Sequence, residues 1–541
     1  MKRTTILLAA VLNLIFLVQL RAQTPKILWW YNTNDFSAGQ SAAKDFDGDG
    51  KYEVVFSCYR NDSNIYALNA ENGSLLWKYN TSPPGSHGCN DVAPVIYDVD
   101  NNNTQEVIVP SSCNPKTFCL NGTNGSVKWV CATRGSDSPP TIADIDNDNK
   151  PEILHGEFNG YVICINAENG SVAWEILVDP NSWVQTAPTI VDLDGDGQLD
   201  FVVATWNFNN KDSVFAYKGN TQQRLWAYPV HSHMYHGTAV ADLDLDGKPE
   251  LVIGAYNDTL YCLNGENGSV NWKYKGAGYI GGPASLGDLD FNGVCDVVFP
   301  NGSHVTALKS NGTLKWDYAI PNFGQCFRGA ALADINNDYN LDVVFGNDKG
   351  ILTALNGTTG IPLWNLNLAT HYGNPQYQLL HAPVIADFNN DDTLDVFIAG
   401  GYGIYSPTNM TGNFGRAYMV SVGKGKGPNW LMFQRDIRRQ SSMCDYVPVT
   451  AINEGSEWQG TKSMVYPNPA ENTVRWQFSN ASGSLRKIII YNAEGRQVHQ
   501  LENFTHNETD LNVAGWKTGI YFFRLYADKG IVDQGKFVIQ R

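Results

Sequence analysis

Asp192-Leu193-Asp194-Gly195-Asp196-Gly197-Gln198-Leu199-Asp200 sets carboxylates at positions 1, 3, 5 and 9 of a nine-residue loop, with glycine at position 6. Oxygen ligands at alternate positions, wrapped by a tight turn, are what a hard cation such as calcium requires. An EF-hand opens the same way but needs a bidentate Glu at position 12. Here that position is Val203, inside the apolar run 201–204. The run reads as a strand, so the loop joins two strands.

The loop recurs at Asp45, Asp98, Asp144, Asp192, Asp242, Asp288, Asp334 and Asp387, spaced 46 to 53 residues apart. A short small-residue strand precedes each copy and an apolar strand follows it, as in Glu53-Val54-Val55-Phe56. Next comes a hairpin with an Asn-Gly or Thr-Gly turn and a closing Trp, clearest in Tyr66 to Trp77. Asn-Gly supplies the positive φ that a two-residue hairpin demands. Four short strands repeated eight times predict an all-β, eight-bladed β-propeller, with seven blades and one irregular repeat as the alternative. The Trp-bearing outer strands are read at Trp77, Trp129, Trp174, Trp226, Trp272, Trp316, Trp364 and Trp430. Ile27 to Tyr31 makes a ninth, expected to pair onto the last blade and help close the ring.

The formal net charge of −16 argues against nucleic acid or an anionic membrane as partner. Met1-Lys2-Arg3 followed by the apolar run from Ile6 to Leu20 reads as a signal peptide over 1–22, with no other stretch able to span a bilayer. The propeller then occupies 23–446, a linker 447–461, and a different small module 462–541. Ten cysteines in a chain this long are no disulfide scaffold. Cys119, Cys164 and Cys262 stand where other repeats carry Ala, as small buried hydrophobes. Bridges are open among Cys89, Cys113, Cys131, Cys295 and Cys326, with the pairing unassigned.

These motifs carry three resemblances. The Asp-rich loop between strands resembles the FG-GAP and VCBS repeats of integrin-like propellers. The hairpin 66–77 resembles the tryptophan docking motif of quinoprotein-like propellers, though the adjacent cysteines typical of quinoprotein dehydrogenases are missing here. Tyr466-Pro467-Asn468-Pro469-Ala470, Ile488 to Arg496, Gly519 to Leu525 and the closing Lys536 to Ile539 resemble the type A C-terminal sorting domain of the type IX secretion system. That resemblance implies a small β-sandwich, a type IX secretion machinery as partner, and a secreted or cell-surface location.

As cation ligands the sequence offers Asp45, Asp47, Asp49 and Glu53; Asp98, Asp100, Asn102 and Glu106; Asp144, Asp146, Asp148 and Glu152; Asp192, Asp194, Asp196 and Asp200; Asp242, Asp244, Asp246 and Glu250; and Asp288, Asp290, Asn292 and Asp296. Converging carboxylates repel without a cation, so several structural Ca²⁺ ions are expected. The loops at Asp45, Asp192 and Asp242 should bind best. Those at Asp334 and Asp387 should bind worst, because Tyr339 and Asp392 stand where positive φ is costly.

Strand alternation puts the cation loops and Asn-Gly turns on one face, and the blade-to-blade and second-to-third-strand loops on the other. Aromatics and histidines concentrate on that second face: Trp206, Phe208, His231, His233, Tyr235, His371, Tyr372, Tyr402, Tyr405 and Phe414. Six residues before each first Asp stand Gly39, Val92, Ser138, Thr186, His236, Gly282, Arg328 and His381, expected to ring the channel mouth. Trp206, Tyr235, His236, Arg328, Tyr372 and His381 are thus the candidate ligand-binding residues. The leading reading is a calcium-stabilised, non-catalytic binding or adhesion module for an extracellular glycan or protein. The alternative is an extracellular carbohydrate-active enzyme, polysaccharide lyase-like, with His236, Arg328 and His381 as candidate catalytic residues.

Overall fold

The computed structural model describes residues 24–404, 412–423, 425, 427–444, 462–479, 485–492, 497–502, 508–527 and 530–540. The signal peptide, the linker and Tyr405 lie outside these residues.

The chain is all-β and repeats one antiparallel unit. In the first sheet, Ala42–Lys44, Glu53–Ser57, Asn64–Asn69 and Leu75–Asn80 pair in that order. Seven more sheets start from inner strands Val95–Tyr97, Thr141–Ala143, Thr189–Val191, Ala239–Ala241, Ser285–Gly287, Ala331–Ala333 and Val384–Ala386. Second strands are buried along their whole length, as in Glu53–Ser57 and Asp200–Ala204. Both of their faces press on neighbouring sheets, which is why they read as unbroken apolar runs. Outer strands such as Leu75–Asn80 are mostly exposed, with Trp77 the buried member.

The eighth sheet takes its outer strand from the other end of the domain: Lys26–Thr33 pairs antiparallel with Phe414–Gly423. The expected closure by the N-terminal strand is therefore what the structure has. Each docking Trp then reaches into the next sheet. Indole Nε1 donates from Trp77 to Gly122 O (2.5 Å), from Trp129 to Ala167 O (2.8 Å) and from Trp226 to Gly265 O (2.7 Å). The ring lies on the neighbour's turn glycine. At Gly125 (φ 69°) a Cβ would stand 2.7 Å from the Trp77 ring, so both backbone and space demand glycine.

Trp430 corrects the sequence reading, because it belongs to no outer strand. With that position already filled by Lys26–Thr33, the chain after Gly423 turns inward, and Trp430 exchanges two 2.8 Å backbone hydrogen bonds with Ile385 of the eighth inner strand. From there the segment Gly427–Met443 runs past all eight inner strands. Its carbonyls accept from Asp334 N (3.2 Å), Ala43 N (2.7 Å), Ile142 N (2.9 Å), Ile190 N (3.1 Å), Val240 N (2.9 Å) and Leu286 N (2.9 Å). The second sheet is reached by Arg439, wholly buried, whose Nη2 donates to Pro94 O (3.0 Å) and Nε to Pro140 O (3.1 Å). In seven sheets its backbone pairs with the inner strand or the residue just after it, and at the second sheet Arg439 takes that place, so backbone groups facing the centre are satisfied. Cys444 then bridges to Cys295 in the sixth sheet (Cα–Cα 5.5 Å), and Cys89 bridges to Cys113. Cys131 and Cys326 are free, and so are Cys119, Cys164 and Cys262, buried as expected.

The C-terminal module has a three-stranded sheet (Lys462–Tyr466, Thr473–Ser479, Glu508–Asn512) and a four-stranded one (Leu485–Tyr491, Gln497–Glu502, Gly519–Ala527, Gly530–Ile539). Val474, Trp476, Ile488, Phe523 and Phe537 share one core between them.

Candidate functional site

The acidic loops share one backbone. Their fourth and sixth residues all take positive φ, including Leu245 (63°), Phe291 (49°), Tyr339 (70°) and Asp392 (63°). The sequence reading foresaw this at the sixth position and missed it at the fourth. The first Asp accepts from the sixth residue's N–H, as Gly50 N to Asp45 Oδ2 at 3.0 Å. The ninth residue is buried and accepts from the second, as Phe46 N to Glu53 Oε2 at 2.7 Å. Ligand oxygens of Asp45, Asp47 and Glu53 lie within 4.8 Å of one another, as do those of Asp98/Asp100/Glu106, Asp144/Asp146/Glu152, Asp192/Asp194/Asp200 and Asp242/Asp244/Asp246. Burial, then the neighbouring Asp charges, pushes Glu53, Glu152 and Glu250 up to about 7. Buried oxygens of Asp200, Asp242, Asp290 and Asp395 lack a close, well-aligned hydrogen-bond donor among the described residues. Oxygen-only donor sets with spare buried oxygens fit a hard divalent cation.

The loops nevertheless differ on a ground that the sequence reading lacked. Lys218 Nζ reaches Asp194 and Asp196, both at 2.5 Å, Lys128 Nζ reaches Asp100 (2.6 Å) and Glu106 (2.9 Å), and Lys315 Nζ reaches Asp290 and Asp296, both at 2.7 Å. Three of the six candidate loops thus carry an ammonium of their own, and among the described residues no lysine enters the clusters at Asp45, Asp144 and Asp242 in this way.

At the opposite end, loops between sheets and between second and third strands surround a pocket of about 390 Å³. The position seven residues before each first Asp lines it in six sheets, through Ala38, Asp91, Tyr235, Gly281, Phe327 and Leu380. The two remaining members, Asp137 and Gln185, bond to each other (Gln185 Nε2 to Asp137 Oδ2, 3.0 Å). Burial, then Asp91, holds the Asp137 carboxyl well above the usual carboxylate range. The expected register was therefore one residue off. Successive residues of an extended chain face opposite ways, so most of the residues six before turn into the protein. Only His236 and Arg328 of that set line the pocket.

Arg328 Nη1 lies 3.0 Å from His236 Nδ1, and its guanidinium stands 5.3 Å from the Tyr235 ring centroid. Burial, then the Arg328 charge, pushes His236 well below the usual histidine range, so the ring is neutral and Nδ1 accepts. With its amide oxygen facing the guanidinium, Gln40 accepts from Arg328 Nε and Nη1, both at 3.2 Å. Phe433 of the central segment packs edge-on beneath His236 (6.0 Å). An aromatic path leaves the pocket: Phe327 to Tyr279 (6.3 Å), Tyr279 to Tyr256 (5.3 Å), Tyr256 to Trp206 (5.2 Å), and Trp206 stacked on His233 (4.2 Å, 8° between planes). Trp206 also pairs with Trp183, which packs against the exposed Phe208 at 4.9 Å.

Of the expected ligand residues, Tyr235, His236 and Arg328 meet in the pocket, and Trp206 joins through Tyr256. His381 does not line it: it is buried, pushed down to about 3 by that burial, with Nδ1 2.9 Å from Ala382 O. Tyr372 is committed elsewhere, stacked on Phe414 (4.8 Å) with Arg416 over its ring (4.5 Å). His231, His233 and His236 do not converge on a metal, since His233 faces Asp212 (3.1 Å) and His231 is exposed. Tyr256, Tyr279, Phe327 and Asp91 were missed, although Asp91 and Phe327 are found by counting back one residue more. Rings, a cation with neutral partners and a carboxyl pair suit the holding of a polar ligand with apolar ring faces.

Comparison with known proteins agrees with this geometry. FG-GAP-like repeats match over residues 45–109, 144–203 and 192–253, and a secretion system C-terminal sorting domain matches over 464–540. The chain thus carries FG-GAP-like repeats and ends in a type IX sorting domain, which indicates a secreted or cell-surface protein. No curated protein matches the sequence. Among solved structures it is similar to the Vibrio cholerae biofilm matrix protein Bap1 (TM-score 0.53, 15% identity, 76% of this chain and 94% of that one). It is also similar to a europium-containing methanol dehydrogenase (TM-score 0.54, 12% identity, 73% and 93%) and to the quinohemoprotein alcohol dehydrogenase of Comamonas testosteroni (TM-score 0.50, 14% identity, 75% and 77%). At these identities the likeness is one of propeller fold. Among the described residues no helix is long and apolar enough to cross a membrane.

Proposed function

We propose that this is an extracellular, calcium-stabilised, eight-bladed propeller that binds a glycan without transforming it. The pocket with its aromatic path is the observation that carries the reading. Tyr256, Tyr279 and Phe327 offer ring faces beside polar groups, the pairing of surfaces on which a sugar ring stacks and hydrogen-bonds. Docking of Trp29, Trp77, Trp129, Trp226, Trp272 and Trp316 on the turn of the next sheet supports a ring of eight blades. Structural Ca²⁺ in the loops at Asp45, Asp144 and Asp242 is supported by their uncompensated oxygen sets. Export suits retention on a matrix outside the cell, and the structurally similar Bap1 is a biofilm matrix protein. The lyase-like alternative needs a free base, yet His236 Nδ1 is taken by Arg328 and His381 stands outside the pocket.

A glycan array probed with the calcium-loaded protein and with Tyr256→Ala tests the reading. Binding that the substitution weakens is expected. Shortening of a bound glycan, or the absence of any glycan binding, would overturn it.

A further inference from the structure

Resting on the glycan reading, we infer that the pocket selects sugars bearing a carboxylate, with Arg328 as the residue that reads it. Every partner of this guanidinium is uncharged: the neutral His236 ring, the Gln40 amide and the face of Tyr235. Among the described residues no carboxylate forms an ion pair with it. Gln40 and His236 occupy Nε and Nη1, which orients the guanidinium and, among the described residues, leaves Nη2 without an acceptor. A half-buried cation held in place by neutral groups keeps its attraction for an incoming anion, and its Nη2 hydrogens are left to donate a charge-assisted hydrogen bond to a carboxylate oxygen. The other acids at the pocket are already engaged. Asp348 accepts from Gln325 N (2.8 Å) and pairs with Lys349 (3.1 Å). Asp91 accepts from Ser112 Oγ (2.9 Å) and leans on Asp137. Asp91 enters from the second sheet and Arg328 from the loop leading into the seventh, so the two charges enter the pocket from different sheets. A sugar acid suits that polarity, with its carboxylate at Arg328 and hydroxyl donors toward Asp91.

Calorimetric titration with tetramers of galacturonate, mannuronate and glucuronate, each beside its carboxyl-reduced counterpart, tests this. At least one acidic tetramer is expected to bind about tenfold or more tighter than its reduced form. Arg328→Met should erase that difference while leaving the melting temperature within a degree or two. If that variant unfolds, Arg328→Lys serves, retaining a charge but losing the planar group that Gln40 and His236 hold in place, and with it most of the preference. Equal affinity for acidic and reduced tetramers, or a preference that survives Arg328→Met, would overturn carboxylate selection and leave glycan binding standing. Failure of all six tetramers and of the glycan array would remove both.

Discussion

Trp29 Nε1 donates to Ala70 O at 2.8 Å across 41 residues of sequence, and this one contact fastens the outer strand of the eighth sheet to the turn of the first. A Cβ on Gly73 would lie 2.5 Å from the same indole. The geometry equals that of Trp129 on Ala167 and Trp226 on Gly265, so the joint between the eighth and first sheets is built like an internal one.

Trp29→Ala should therefore destabilise the protein as much as Trp226→Ala, each by about 3–5 kcal/mol, the usual cost of emptying a large aromatic site. Thermal unfolding compares them. A Trp29 variant as stable as wild type would mean that the joint is dispensable.

Metal content should follow the lysines. Asp144→Asn is expected to remove one bound Ca²⁺ per chain and to lower the melting temperature. Asp290→Asn, beside Lys315, should leave the ion count unchanged. Elemental analysis after dialysis against calcium reads both, and chelation of the wild type should lower its melting temperature.

Acid should weaken the fold through His381. Its folded-state value of about 3 lies below the unfolded one, so the unfolded chain takes the proton first and stability falls as pH drops below about 6.5. Arg328 is the charged group acting on it, in the same direction as burial. Between pH 8 and pH 5 the residue costs about 2 kcal/mol, and His381→Gln should lose that much less over the same range. Denaturant titrations at the two pH values check it.

Ring faces at the pocket should matter where those on the eighth sheet do not. Tyr256→Ala is expected to weaken glycan binding by about 1–2 kcal/mol, roughly 5- to 30-fold. Tyr372→Ala should leave the affinity unchanged, because Phe414 and Arg416 already cover that ring. Calorimetry on the best array ligand separates the two.

The repeat, the face carrying the pocket and the closing N-terminal strand were legible because each follows from spacing and alternation. The Asp at fixed intervals counts the sheets, and period-two strands assign the faces. Three things were not legible. Trp430 mimics a docking Trp in sequence, and only the pairing of Lys26–Thr33 with Phe414–Gly423 frees it to turn inward. Lys128, Lys218 and Lys315 meet the acidic loops from other strands of the sheet, which loop spacing does not encode. Cys444 joins Cys295 across 149 residues, a separation that no local pattern signals. The pocket register erred by one residue, enough to exchange outward for inward.

The central segment also imposes an order on folding. Ala43 N pairs with Leu431 O, so the first inner strand waits for a residue close to the end of the propeller. Without that last stretch of the propeller, inner strands in seven sheets would lack these backbone partners. Long-range pairings of this kind form slowly. The contacts that tie the inner strands together therefore need residues 427–443, and the next stretch of sequence leads to the sorting domain. The residues that join the inner strands thus lie directly before the stretch that leads to the sorting domain, so the passenger's final shape and its export signal are neighbours in sequence.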